Sequence, residues 1–188
     1  MLLLWGVVLG VIIGFVGGGS VANLEELDLR HIWLVPVALI VQNLIFFPVL
    51  FEESVIPFLG PEFFHLLSYL ILAVFVVMNW RVWQIPLMGA GMGLNMIVIA
   101  SNGGYMPVAL EPLVRTGNFR TAYYLTNNEI YGNVIMMSDS TILDFLGDWL
   151  YLPRWLPFST AFSLGDLIIA IGLVYFFGLW MVQPEINT

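Results

Sequence analysis

The sequence predicts an all-α integral membrane protein, with five transmembrane helices and an extracytoplasmic cap between helices 4 and 5. Three observations predict it. Of 188 residues, 60% are hydrophobic and 10% charged, at a mean hydropathy of +0.95; a soluble domain runs about 45–50% apolar and about 25% charged. Five apolar stretches meet or approach the ~20 residues that a helix needs to cross a ~30 Å hydrocarbon layer. Between the fourth and fifth lies a long segment of different composition, residues 102–161.

The stretches cover residues 2–19, 32–51, 63–79, 85–101 and 162–182. The first four carry no Asp, Glu, Lys or Arg, and the fifth carries only Asp166. The third and fourth are short and flanked by Trp80, Trp83 and Pro86, which predicts tilt or irregular ends. Nothing basic precedes Leu2 and its apolar run is long, so the first stretch reads as a retained span rather than a cleaved signal. Arg30 and Arg81 lie in the loops after spans one and three, which places those loops and the C-terminus in the cytoplasm and the N-terminus outside. The expected organisation is a four-helix region at 1–101, the cap at 102–161, and a fifth helix with a short cytoplasmic tail at 162–188.

In the first span Gly6, Gly10, Gly14 and Gly18 recur every fourth residue. That spacing lines one helix face with glycine and lets a second helix come close, so that dispersion between backbones supplies the attraction lipid cannot. The partner is another span of the chain, a second subunit or a flat cofactor. Gly89, Gly91 and Gly93 suggest a second close approach in span four.

The cap opens on the turn Asn102-Gly-Gly-Tyr-Met-Pro-Val108. Short helices are expected over 108–116 and 119–125, a turn at Tyr131-Gly-Asn133 and a short strand over 134–137. Its many aromatic rings, Tyr105, Phe119, Tyr123, Trp149 and Trp155 among them, suit a membrane–water interface.

The chain has no cysteine and no lysine, and its net charge is −8. The first excludes disulfide frameworks and thiol nucleophiles, and the charge argues against nucleic acid and against a polybasic lipid anchor. No Walker loop, dinucleotide fingerprint, zinc signature or serine elbow is present. His31 and His65 begin successive spans on opposite faces of the membrane, so they cannot share one haem; each alone could ligate a pigment axially or bond to backbone or water. No cofactor is expected, and contact with lipid, quinone or pigment stays open. Asn43, Asn79 and Asn95 are expected to bond between helices.

Chemistry centres on Asp166. A carboxylate at membrane depth raises a functional-site hypothesis. Three residues into a helix starting near Ser163, it could equally serve the free N–H groups of the helix start. Asp148 or Asp144 could complete an acid pair that shares a proton and activates water, and Asp148 could instead cap a turn or pair with Arg154.

The blocks Asn102-Gly-Gly-Tyr-Met-Pro-Val108, Phe145-Leu-Gly-Asp148 and Phe162-Ser-Leu-Gly-Asp166 resemble an uncharacterised family of bacterial five-span membrane proteins. The resemblance covers most of the chain and implies a prokaryotic plasma-membrane protein. Residues 142–177 also resemble, in part, lipoprotein signal peptidase: Asp166 then corresponds to one catalytic aspartate and Asp144 or Asp148 to the other, although Ser163, Gly165, Met136 and Met137 depart from that enzyme's pattern. The expected function is a non-catalytic accessory or scaffold subunit of a larger membrane complex, respiratory or photosynthetic, with the lipid bilayer and other membrane subunits as partners. The alternatives are a membrane-embedded aspartyl hydrolase and a lipid or small-molecule transporter.

Overall fold

The computed structural model describes residues 2–46, 61–128 and 130–182, without the side chains at 43–46, 61–62 and 128. It is mostly helical: α1 (Leu2–Val16), α2 (Leu34–Phe46), α3 (Pro61–Met78), α4 (Gln84–Ser101), α5 (Leu110–Thr116), α6 (Phe119–Asn128) and α7 (Leu164–Trp180). The long helices coincide with the apolar stretches. Among the described residues one of them, α4, is long and apolar enough to cross a membrane by length and composition. The 15 residues of α1 and the 17 of α7 reach only ~22 and ~26 Å. Helix α1 stops early because Gly18, at φ 78°, turns the chain out of the helix. The second stretch beyond Phe46, and the Asn43 side chain, lie outside the described residues.

Helices α1 and α7 run parallel. A Cβ built on Gly6 would stand 2.8 Å from the Ala170 carbonyl oxygen, one on Gly10 2.9 Å from that of Val174, and one on Gly14 2.7 Å from the Met181 Cβ. A methyl group on this face would overpack it, at a cost of roughly 1–3 kcal/mol. Gly18 does not belong to the face, contrary to the four-residue pattern: the helix has ended, and nothing lies within 4 Å of its missing Cβ. Beyond it the chain is tied to α7 by Ser20 N–H and Asn23 Nδ2, which donate to the Met181 carbonyl at 2.9 and 2.7 Å.

Helix α4 packs antiparallel on another face of α7, with Gly91 against Gly165 and Met88 against Gly172. Gly89 turns the other way, to Val76 of α3, and Gly93 meets nothing within 4 Å. The alternate spacing of these glycines thus serves two different neighbours. Helices α2 and α3 pack against each other. Asn79, just past the end of α3, clamps the Arg30 backbone in the turn before α2, accepting its N–H at 2.8 Å and donating to its carbonyl at 2.9 Å.

The segment between α4 and α7 folds over one end of these helices. Strands β1 (Met106–Val108), β2 (Ile130–Tyr131) and β3 (Val134–Met136) form a sheet in the order β1-β3-β2, with β1 and β3 parallel. Strands β4 (Leu150–Tyr151) and β5 (Ala161–Phe162) pair antiparallel. Val108, Leu113, Ala122 and Leu125 are the buried core of this lobe. The expected 108–116 helix begins only at Leu110, because residues 106–108 are spent on pairing with β3.

Candidate functional site

The site begins at the first turn of α7. Ser163 is its N-cap, with extended backbone at φ −95° and ψ 170°. Its Oγ accepts the Asp166 N–H at 3.0 Å, and Asp166 Oδ2 accepts the Ser163 N–H at 3.3 Å. This is a capping box with Asp where Glu or Gln is usual, and it satisfies two donors that a helix start leaves free.

Asn95 joins the box from α4. Ser163 Oγ donates to Asn95 Oδ1 at 2.8 Å, and Asn95 Nδ2 donates to Asp166 Oδ1 at 2.8 Å. Three side chains from two helices therefore close a ring, with Ser163 and Asn95 buried. The ring exists because the helices nearly touch there. A Cβ on Gly165 would lie 2.5 Å from the Gly91 carbonyl oxygen and would collide with the Asn95 side chain. A charge-assisted hydrogen bond of the Asn95–Asp166 kind contributes roughly 1.5–3 kcal/mol.

Asp148 approaches from the cap. Its backbone lies along the free edge of β1, donating to the Pro107 carbonyl at 2.8 Å and accepting the Ala109 N–H at 3.1 Å. Gly147 permits this, since a Cβ there would sit 2.5 Å from the Pro107 oxygen. The residue keeps some exposed surface, but its Oδ1 is closed off from solvent and has no hydrogen-bond partner among the described residues. Burial, and then the nearby Asp166 charge, push the Asp148 carboxyl up to about 7. Tyr69 of α3 lies within electrostatic range of both carboxylates.

Of the two candidate companions, Asp148 lies within electrostatic range of Asp166. Asp144 opens a 3-10 turn (Asp144–Leu146), and its buried Oδ1 also lacks a partner among the described residues. The histidines stand at opposite ends of α3. His65 is buried near its start, where Nδ1 donates to the Gly104 carbonyl at 2.6 Å. His31 lies beside Arg30 at the other end, at φ 52° and edge-on to Trp33. Some 14 residues of helix, ~21 Å, separate the two levels. Among the described residues no group of three or more His, Asp or Glu is placed to hold a metal ion.

The three sequence blocks converge on this junction. Asn102 caps α4 and grips the Ile142 backbone, donating to its carbonyl and accepting its N–H, both at 2.8 Å. The Met106-Pro-Val108 strand then carries Asp148 on its edge, and the Phe-Ser-Leu-Gly-Asp166 block supplies the capping box. Sequence reasoning missed Tyr69 and Ser163 as site residues and gave Asn95 only a generic interhelix role. Two signals were available: Ser163 and Asp166 at capping-box spacing, and Asn95 one turn after Gly91.

From the junction a cleft of about 730 Å³ runs between α2, α3, α4 and α7. Its walls are apolar, formed by side chains such as Leu72, Met88, Met92, Ile169 and Leu173. Asp166, Asn95 and Tyr69 line its cap end, and Gln42 lines it from α2. Among the described residues that line it none is basic, and Asp148 is not one of them.

The model of a family of unknown function, DUF5317, matches residues 26–178, which include all three blocks and leave out α1. The chain is 25% identical over 172 residues to an uncharacterised protein of Thermotoga maritima, an alignment covering 90% of this chain and 85% of that relative. No solved structure matches.

Folding lifts the Asp148 carboxyl from 3.8 to about 7, so the folded protein holds this proton more tightly than the unfolded chain does. The stability it contributes is therefore complete below about pH 4 and is lost as pH rises to about 7. The loss is at most about 4 kcal/mol. Asp148→Asn cannot ionise, so its melting temperature in mild detergent should fall less than that of the wild type between pH 5 and pH 8. Parallel declines in the two proteins would contradict this assignment.

Proposed function

We propose that this chain, which belongs to the DUF5317 family of unknown function, is a five-span protein of the prokaryotic plasma membrane. It acts as a non-catalytic accessory subunit that holds a lipophilic molecule in its cleft. The cleft carries this reading: about 730 Å³ of apolar space with a few polar groups gathered at one end, the form that small-molecule sites take. Both Asp166 oxygens already accept hydrogen bonds that hold α7 to its own cap and to α4, which favours a structural carboxylate over a catalytic one. Five crossings are supported by the parallel course of α1 and α7, as the first and last of an odd set must run. Further support comes from apolar side chains exposed along α1 and α3, Ile12, Phe15, Leu70 and Val77 among them.

A second reading, an aspartyl hydrolase, is favoured by one observation: Asp148, with its carboxyl raised to about 7, lies in the field of Asp166. It requires cleavage of a lipidated peptide that Asp166→Asn abolishes.

Native mass spectrometry of the protein released from mild detergent tests the leading reading. A retained lipophile is expected in the wild type, and its occupancy should drop at least about tenfold in Met92→Trp or Ile169→Phe, whose side chains fill the cleft. Equal occupancy in wild type and both variants would refute it. The absence of native cysteine also makes topology easy to read. Ser140→Cys in the cap should react with a membrane-impermeant maleimide in intact cells, and Arg81→Cys only after permeabilisation; the reverse pattern would overturn the orientation.

A further inference from the structure

We infer that the cleft selects a lipophile whose head group donates hydrogen bonds and carries no negative charge: a long-chain alcohol or amine rather than a fatty acid or a lipid phosphate. This rests on the reading of the cleft as a lipophile site and names the chemical class of its occupant.

The groups that meet a head at the cap end set this preference. Asp166 lines the cleft with a carboxylate that has about four lone-pair sites, of which two are used, by Asn95 and by the Ser163 N–H. The remaining acceptor capacity calls for a donor. Asn95 has spent its Oδ1 on Ser163 and one Nδ2 hydrogen on Asp166, which leaves one N–H to meet a head-group oxygen. A hydroxyl answers both, donating to the carboxylate and accepting from the amide. An amine answers the carboxylate alone.

An anionic head finds the opposite. No described lining residue is basic, and the arginines with described contacts lie elsewhere. Arg30 is at the far end of α3 beside Asn79, and Arg115 and Arg120 are on the cap, over Tyr151 and Tyr124. Asp148, behind the cleft end, adds a second acid on the same side. A carboxylate or phosphate brought there meets like charge in a poorly solvated corner, which disfavours its binding unless it is protonated. The tail has room: the wall runs along α7 from Asp166 to Phe177, 11 residues or ~16 Å of apolar surface.

The test uses four probes with one tail: hexadecanol, hexadecylamine, palmitic acid and hexadecyl phosphate. Each is added to the purified full-length protein at pH 8, and its retention is read by native mass spectrometry against Met92→Trp. The alcohol and the amine should be retained at least about tenfold more than the acid and the phosphate. Asp166→Asn should narrow that preference to about twofold or less while leaving alcohol retention measurable. If the acid or the phosphate is retained as well as the alcohol, the head-group assignment fails and the cleft reading stands. If no probe is retained better by wild type than by Met92→Trp and Ile169→Phe, the cleft reading fails and takes this inference with it.

Discussion

A carboxylate placed where two apolar helices nearly touch is the constraint on which this fold turns. Asp166 stands where free N–H groups and the positive end of α7 favour its charge, yet its surroundings are largely apolar. Hydrogen bonds resolve the conflict. Asn95 and the Ser163 N–H each donate to Asp166, and Ser163 Oγ ties Asn95 back into the same ring. Such a ring needs backbones close enough for short side chains to bridge. Gly91 and Gly165 supply that approach, since a side chain on either would separate the helices.

The rest of the molecule is arranged around this joint. With α4 fixed on one side of α7, the glycine face formed by Gly6, Gly10 and Gly14 is free to bury itself on the other. The α2–α3 pair completes the group less tightly, joined to α4 through the Gly89–Val76 contact. Its looser seat opens the cleft. The cap is anchored at the same place, through the Asn102 grip on Ile142 and through Asp148 on the edge of β1. Two acids thus share one corner, and the electrostatic conflict is resolved by leaving Asp148 protonated over most of the acidic range. A corner built this way excludes further negative charge and welcomes donors.

Much of the helical pattern was legible from the apolar runs, because lipid-like composition and ~20-residue length are strong signals. The ends were not. Helix α1 stops at Val16 because Gly18 takes a left-handed turn, and a run of glycines does not announce which member will do so. The four-residue glycine pattern was correct as spacing but counted one residue too many, since Gly18 lies past the helix that gives the pattern meaning. In the cap, strand β1 forms only because β3, some 26 residues later, pairs with it; no local property of Met106-Pro-Val108 foretells that. Among the site residues, the position of Asp166 near a helix start could be read from its distance to Ser163. That Asp148 comes within electrostatic range of it depends on Gly147 lying against Pro107, a long-range contact. Tyr69 gave no signal at all, being one apolar-run aromatic among many.

The central claim is that Asp166 pins α4 to α7. A double-mutant cycle of Asn95→Ala and Asp166→Ala, followed by unfolding of the detergent-solubilised protein, measures that pin directly. A coupling of about 1.5–3 kcal/mol between the two sites is predicted. Losses that simply add, to within about 0.5 kcal/mol, would contradict it and return Asp166 to the pool of carboxylates without an assigned role.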